Sequence, residues 1–344
     1  MYVHALMKDL DRECSVQSVE SISSIFIGGG TPSLFSGDAI NSLLDGISNR
    51  LTLTDDVEIT LEANPGSADA SRFRHYRTAG VNRISIGIQS FSNACLTALG
   101  RAHNAVDSCD ALDAAVGAGF DNMNIDLMFG LPSEDSSRTL KDLSQAISFN
   151  PQHISWYQLT IEENTAFAKK PPMLPSHDEI CDEYEAGQIL LTEAGFSQYE
   201  ISAYSKQGSE SRHNLNYWNF GDYVGIGAGA HGKRASIEGV VRTEKIKNPD
   251  RYMQSALSNK KIHTDQFISE EQLIGEYMIN ALRLKNGFCI DALLANIPKL
   301  NLQAHFFECL DSAYSKNFLQ REDRWVKPTP LGYRFLNDLQ LIFL

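Results

Sequence analysis

The residues best placed to do chemistry stand at the ends of short alternating segments. Val57, Ile59 and Leu61 face one way and Glu58, Thr60 and Glu62 the other; Ile84, Ile86 and Ile88 oppose Ser85, Gly87 and Gln89; Met123, Ile125 and Leu127 oppose Asn122, Asn124 and Asp126. Period-two alternation marks strands with one apolar and one polar face. Glu62, Gln89 and Asp126 fall at the carboxyl ends of their strands, where parallel α/β folds hold their ligands. An earlier apolar segment runs into Gly28-Gly29-Gly30-Thr31-Pro32-Ser33, whose glycines let backbone groups approach a ligand closely. No Gly-Lys-Ser/Thr follows, so the lysine that grips a nucleotide triphosphate is missing. Gly227-Ala228-Gly229-Ala230-His231-Gly232 matches the spacing of the dinucleotide fingerprint, yet 233–239 shows no helical stripe after it. A nicotinamide or flavin site is not expected there.

The elements carrying these residues read as βα repetition. Strands are expected at Ser24–Gly28, Val57–Ala63, Arg83–Gln89, Asn122–Met128 and His153–Leu159, each leading into a helical pattern. A helix over Asp38–Ile47 puts Ile40, Leu43, Leu44 and Ile47 on one stripe, and Leu140, Leu143 and Ile147 form another before Asn150-Pro151. If the apolar strand faces pack on helices, the polar faces line a closed or nearly closed barrel. Unsatisfied carboxylates are costly there, and a polar ligand in the lumen would satisfy them. The other reading of the alternation is an open antiparallel sheet with one wet face; the intervening helices and long connections count against it.

The 344 residues, 42% of them hydrophobic and 21% charged, suffice for two or three domains. Lys plus Arg is 30 against 43 Asp plus Glu, a formal charge of −13, which argues against nucleic acid and anionic membranes as partners. No segment approaches the ~20 apolar residues of a membrane span, and the opening MYVHALMKDLDREC lacks an apolar signal core. A cytoplasmic location follows, with any membrane association weak and by way of a partner. The six cysteines, Cys14, Cys95, Cys109, Cys181, Cys289 and Cys309, show neither C-x-x-C nor C-x-x-x-C spacing. They read as reduced, mostly buried thiols, and no metal ligand or catalytic residue is assigned.

The strings GGGTPS, LEANPG, GVNRISIGIQSF, LGRAH and NIDLMFGLP, in this order, resemble radical S-adenosylmethionine proteins of the coproporphyrinogen oxidase type. The resemblance runs from near Met1 to the C-terminus. It implies that Gly29, Gly30 and Thr31 hold the methionyl end of S-adenosylmethionine, that Glu62, Gln89 and Arg101 lie near its amino-acid part, and that Asp126 accepts from the ribose hydroxyls. The residue types suit those roles: an ammonium needs acceptors, a carboxylate suits an Arg fork, and a diol suits a carboxylate.

The family's C-x-x-x-C-x-x-C motif follows its first barrel strand and supplies three thiolates to a 4Fe–4S cluster. Here Tyr2–Leu10 already reads as the first helix, so that strand, the cluster loop and the tyrosine before it have no counterpart. The expected fold is thus α/β, a partial (β/α) barrel missing its first strand, with Ser24–Gly28 an uncovered edge prone to dimerisation or poor solubility. Without thiolate ligands no such cluster forms and no electron reaches the sulfonium. Whether Met1 is the native start governs this point.

Farther on, Ala168–His177 is a Pro-rich connection and Ile180–Ala194 a helical stretch ended by Gly195. By itself His213, beside Tyr217 and Trp218, reads as a core histidine among ordinary aromatics. The segment from His213 to Trp218 also looks like the H-N-x-x-Y-W signature of the family's haem-chaperone branch. That resemblance makes His213 the axial-ligand candidate for haem, with Asn214, Tyr217 and Trp218 beside it and His231 a weaker alternative. From Ser269 onward three helices, a short hairpin over Phe318–Val326 and a final stretch Pro330–Leu344 resemble the family's small, mainly helical, winged-helix-like C-terminal domain. Asp291, Glu308, Asp311, Glu322, Asp323 and Asp338 dilute its charge, so a lid or docking module is expected rather than a DNA reader. The domains expected are 1–168, 169–266 and 267–344.

The function implied is that of a haem chaperone which binds haem and passes it to an acceptor haemoprotein, with S-adenosylmethionine in support. The alternatives are an oxygen-independent coproporphyrinogen III dehydrogenase and a truncated, non-catalytic remnant.

Overall fold

Seven strands share one sheet: β1 (Ile22–Ile27), β2 (Leu53–Ala63), β3 (Arg83–Gln89), β4 (Met123–Phe129), β5 (His153–Gln158), β6 (Ser197–Glu200) and β7 (Ala203–Ser205), in the order β1-β2-β3-β4-β5-β7-β6. The computed structural model that shows them describes residues 1–67, 70–132, 135, 137–163, 165–236, 239–258, 260–296 and 304–344. Strands β2 to β5 run parallel, and β7 and β6 extend the sheet as an antiparallel hairpin beside β5. The expected βα repetition is therefore present, and the open antiparallel alternative is excluded. β1 forms the opposite edge, where Phe26 is 39% exposed.

Local chemistry explains the elements. Helices Gly37–Ser48 and Arg138–Ser148 follow the predicted stripes, and Ile40, Leu43, Leu44, Ile47 and Leu143 are buried. Asn104 with Asp107 and Ser176 with Glu179 form capping boxes that start helices Ala105–Gly117 and His177–Glu193. The second of these ends before Gly195, whose φ of +84° suits a helix terminus. Every residue of β3 is buried, polar and apolar alike. Its polar face therefore points inward, as the alternation implied.

The chain divides into two compact units. One contains Ser23–Leu44 and Asp55–Ser211, and with them the body of the seven-stranded sheet. Within it Trp156 packs so closely on helix His177–Glu193 that a Cβ at Gly187 would lie 2.2 Å from the indole.

The other unit gathers Met1–Ile22, Asp45–Thr54 and Arg212–Leu344. Here β8 (His231–Ser236), β9 (Gly239–Lys245) and β10 (His263–Ile268) form an antiparallel sheet in the order β10-β9-β8; positions 237–238 lie outside the described residues. A strand, not a helix, follows the G-x-G-x-x-G stretch. The N–H of Gly227 donates to Asp9 Oδ2 and to the Tyr252 hydroxyl, both at 3.1 Å, so the turn is tied to its own unit.

The C-terminal part has helices Glu270–Ala281, Ile290–Asn296 and Ala304–Ser315, then a small sheet of β11 (Phe288–Cys289), β12 (Leu319–Glu322) and β13 (Trp325–Pro328), ordered β11-β13-β12. The expected hairpin forms and runs two residues past Val326. Two short helices, Pro330–Arg334 and Leu336–Leu341, close the chain.

A buried ion cluster joins the first helix, Tyr2–Val16, to the sheet of this unit. Lys245 Nζ lies 2.8 Å from Asp9 Oδ1 and also pairs with Glu13, and the Tyr252 hydroxyl donates to Asp9 Oδ2 at 2.7 Å. Lys245 and Asp9 are both fully buried, so each charge needs its partner. A Lys245→Met variant should leave two carboxylates uncompensated and cost about 3–5 kcal/mol. Urea unfolding would show this as a lower midpoint, and an unchanged midpoint would mean that the carboxylates do not depend on the lysine.

Candidate functional site

Parallel register brings the polar side chains of the first sheet side by side. Glu62 pairs with Ser85, Ser85 with Asn124, and Asp126 with Ser155. Asp126 accepts from Asn124 Nδ2 at 2.8 Å and from the Ser85 hydroxyl at 3.1 Å. Arg83, 2% exposed, lies 4.0 Å from Glu58 and 3.5 Å from the Thr60 hydroxyl, and its Nε has no hydrogen-bond partner.

The glycine turn meets this row through Glu62. The N–H of Gly29 donates to Glu62 Oε2 at 3.2 Å. Gly29 and Gly30 have φ of +79° and +60°, and a Cβ on either would meet nothing within 4 Å. Backbone conformation, not crowding, calls for glycine there, and the space beside the turn is open. Gly28 differs: a Cβ there would strike the Phe26 ring at 2.4 Å and approach the Glu62 carboxyl at 3.1 Å. Thr31 follows, leading into the short turn Pro32–Leu34.

Gln89 ends β3 with φ +69°, where the register with β4 shifts. A non-glycine residue held there stores roughly 1–3 kcal/mol, a strain that collects at functional sites. Its Oε1 accepts from the Tyr157 hydroxyl. Tyr157 shares its strand face with His153 and Ser155, an alternation that could have nominated it beforehand. Arg101, exposed just past Gly100, lies close enough for its charge to act on Tyr157.

Burial sets the proton affinities. It pushes the Glu62 carboxyl up, opposed by the Gly29 N–H and reinforced by the charge of Asp126. It pushes Asp126 up as well, opposed by hydrogen bonds from Asn124, Ser155 and Ser85 and by the charge of Arg83. The Tyr157 phenol is raised by burial and then by Asp126. Glu62, Gln89, Arg101, Asp126 and the glycine turn are thus linked by contact or by charge. Such a set can take a ligand with cationic and hydroxyl groups.

The second residue set belongs to the other unit, on helix Arg212–Trp218. His213 is 8% exposed, and its ring lies edge-on to Tyr217 at 6.4 Å. Tyr217 in turn meets Tyr223 at 4.9 Å, and burial raises its phenol. The Arg283 guanidinium sits 4.2 Å from the centre of the Trp218 ring, and Trp218 Nε1 is buried without a hydrogen-bond partner. One face of that indole is therefore covered by a cation, an environment the sequence did not suggest. Asn214 is half-buried, and His231 stands exposed at the start of β8 opposite Glu244. Among the described residues no three His, Cys, Asp or Glu side chains converge as a metal site.

Residues 6–144 match the model of the radical SAM superfamily. Across its whole length the chain is 43% identical, over 355 residues, to the haem chaperone HemW of Escherichia coli (strain K12), covering 89% of that protein. It is 31% identical over 346 residues to HemW of Lactococcus lactis subsp. lactis (strain IL1403), with 99% of this chain and 90% of that protein covered. Among solved structures it is similar to coproporphyrinogen III oxidase (HemN) from Escherichia coli, a radical SAM enzyme. The TM-score is 0.80 and the identity 18%, over 99% of this chain and 82% of that one, a likeness of fold. The seven-stranded sheet is accordingly a partial barrel.

Raised carboxyl pKa values have a sign that can be checked. A folded-state pKa above the unfolded one means the native state binds the proton more tightly, so stability falls as pH rises through that window. Carboxyl carbon NMR should place the Glu62 and Asp126 midpoints above the ordinary carboxylate range. Glu62→Gln should flatten that fall without lowering Tm at pH 7. A Glu62 midpoint at or below the ordinary value would refute this account of the site.

Proposed function

Because the chain belongs to the HemW family of haem chaperones, we propose that it binds haem and passes it to an acceptor haemoprotein, and that its barrel unit binds S-adenosylmethionine. The observation that carries this reading is the 43% identity along the whole length of this chain to a protein that bears that name. The likeness to coproporphyrinogen III oxidase is one of fold and brings no activity with it.

The donor chemistry fits S-adenosylmethionine. Gly29, Gly30 and Thr31 would hold its methionyl end, with Glu62, Gln89 and Arg101 near the amino-acid part and Asp126 on the ribose diol. Open space beside Gly29 and Gly30, and two carboxylates whose charge burial disfavours, support this: an ammonium near Glu62 and hydroxyl donors at Asp126 would return part of the stabilisation that burial removes. When bound, the group supplies a cationic sulfonium. The chain's own residues orient it and exclude water.

Haem would be held by His213, with Asn214, Tyr217 and Trp218 beside it. An imidazole is a good iron ligand, and the Trp218 Nε1–H, without a hydrogen-bond partner, has room in its bonding for an acceptor such as a propionate. Family resemblance also brings a 4Fe–4S cluster, yet the described residues bring no suitable ligands together and the six cysteines lack the motif spacing. No step here passes through a cluster. No helix among the described residues is long and apolar enough to cross a membrane, and we place the chaperone's work in the cytoplasm, reaching a membrane only by way of its acceptor.

Haem titration followed in the Soret band tests the reading. His213→Ala should weaken haem binding roughly tenfold or more, about 1.4 kcal/mol, while His231→Ala should not. A His213→Ala titration superimposable on the wild type would remove His213 from the site. Conversion of coproporphyrinogen III to a decarboxylated product by the full chain would overturn the chaperone reading in favour of a radical enzyme.

A further inference from the structure

Behind Asp126 lies a chain of hydrogen bonds whose direction a backbone donor settles at Asn124. Ser155 N–H, which can only donate, points at Asn124 Oδ1 at 3.0 Å, so the orientation of the Asn124 amide is fixed. His153 Nδ1 lies 2.6 Å from the same oxygen and must therefore carry the proton. Its Nε2 lies 2.8 Å from the Tyr199 hydroxyl, whose oxygen takes the Ser211 N–H at 3.3 Å. With its oxygen so engaged, Asn124 turns both amide protons the other way, one to Ser85 Oγ at 2.7 Å and one to Asp126 Oδ1 at 2.8 Å. Ser85 then donates to Asp126 Oδ2 at 3.1 Å.

Asn124 donates to one oxygen of Asp126 and Ser85 to the other, and Ser155 adds a third neutral hydrogen bond. A carboxylate with about four lone-pair sites keeps acceptor capacity beyond these three, which suits a vicinal diol. Asn124 is 3% exposed and His153 fully buried, so both work through the carboxylate and not on a ligand.

We propose that Asn124, braced by His153, is the positioning residue that turns Asp126 toward a vicinal diol, and so sets the preference of this site for a ribose over a deoxyribose. This rests on the reading of Asp126 as the acceptor for the ribose of S-adenosylmethionine. A flipped or missing Asn124 amide would take from Asp126 Oδ1 the donor that orients it, and the diol would lose an aligned acceptor. A site built around a substrate hydroxyl discriminates strongly against the analogue that lacks it.

The test compares binding of S-adenosylmethionine with its 2′-deoxyribosyl analogue, by equilibrium dialysis on the full chain. Wild type should favour the ribose by about tenfold or more. Asn124→Ala should cut that ratio below about threefold while affinity for the analogue stays within about twofold. A double-mutant cycle with Asp126→Asn should be strongly non-additive. His153→Gln, which restores a donor toward Asn124, should keep more of the ratio than His153→Phe. Asn124→Ala weakening both ligands equally, or leaving the ratio intact while Asp126→Asn abolishes it, would overturn the proposal alone. No preference in the wild type and no effect of Asp126→Asn would overturn the ribose reading and the proposal with it.

Discussion

A carboxylate buried in a parallel sheet can stay there only if neighbouring strands deliver donors to it, and this constraint organises the barrel unit. Asp126 sits on β4, and the donors that reach it come from β3, from β5 and from its own strand two residues back. They meet it because Ser85 is paired with Asn124 and Asp126 with Ser155. A slip of one residue would turn every polar side chain to the opposite face. The apolar face prevents that slip: Ile84, Ile86, Ile88, Ile125 and Leu127 have no exposed surface. The hydrophobic core and the polar site are two sides of one register.

The same grip tolerates strain where the strands end. Gln89 adopts a left-handed conformation that costs roughly 1–3 kcal/mol. The cost is set against three fully buried isoleucines on the same strand, each contributing roughly 1.5–3 kcal/mol. What the strain achieves is placement, since Gln89 turns its amide oxygen to Tyr157 at the mouth of the sheet. The glycine turn after β1 solves the neighbouring problem without strain, because Gly29 and Gly30 adopt positive φ with no Cβ to oppose it.

Much of this was legible in the sequence because it is local. Alternation located β2, β3 and β4 within a few residues and identified Glu62, Gln89 and Asp126 as strand-end residues, and a β-type segment placed β5. The glycine run declared its turn, and the motif strings pointed to the family. The rest depends on what meets across distance. Periodicity placed Asn124 on the polar face but said nothing of the amide orientation that Ser155 and His153 impose. The alternation that puts Tyr157 on one face with His153 and Ser155 gave no sign that its hydroxyl reaches Gln89. Arg283 over Trp218, and Lys245 against Asp9, join residues far apart in the chain, and no local pattern announces such pairs.

The two buried carboxylate clusters show why burial alone does not mark a binding site. Asp9 and Glu13 share the Lys245 ammonium, and Asp9 also takes a phenol and a backbone N–H, so a base inside the fold answers both carboxylates directly. Asp126 is surrounded by an amide and hydroxyls, and its guanidinium neighbour, Arg83, makes no hydrogen bond to it. Neutral donors orient a carboxylate without neutralising it, which is why burial still lifts its pKa. A buried acid answered by a base within bonding distance is structural cement. One whose bonding neighbours are all neutral dipoles keeps its affinity for a partner from outside, and Asp126 is of that second kind.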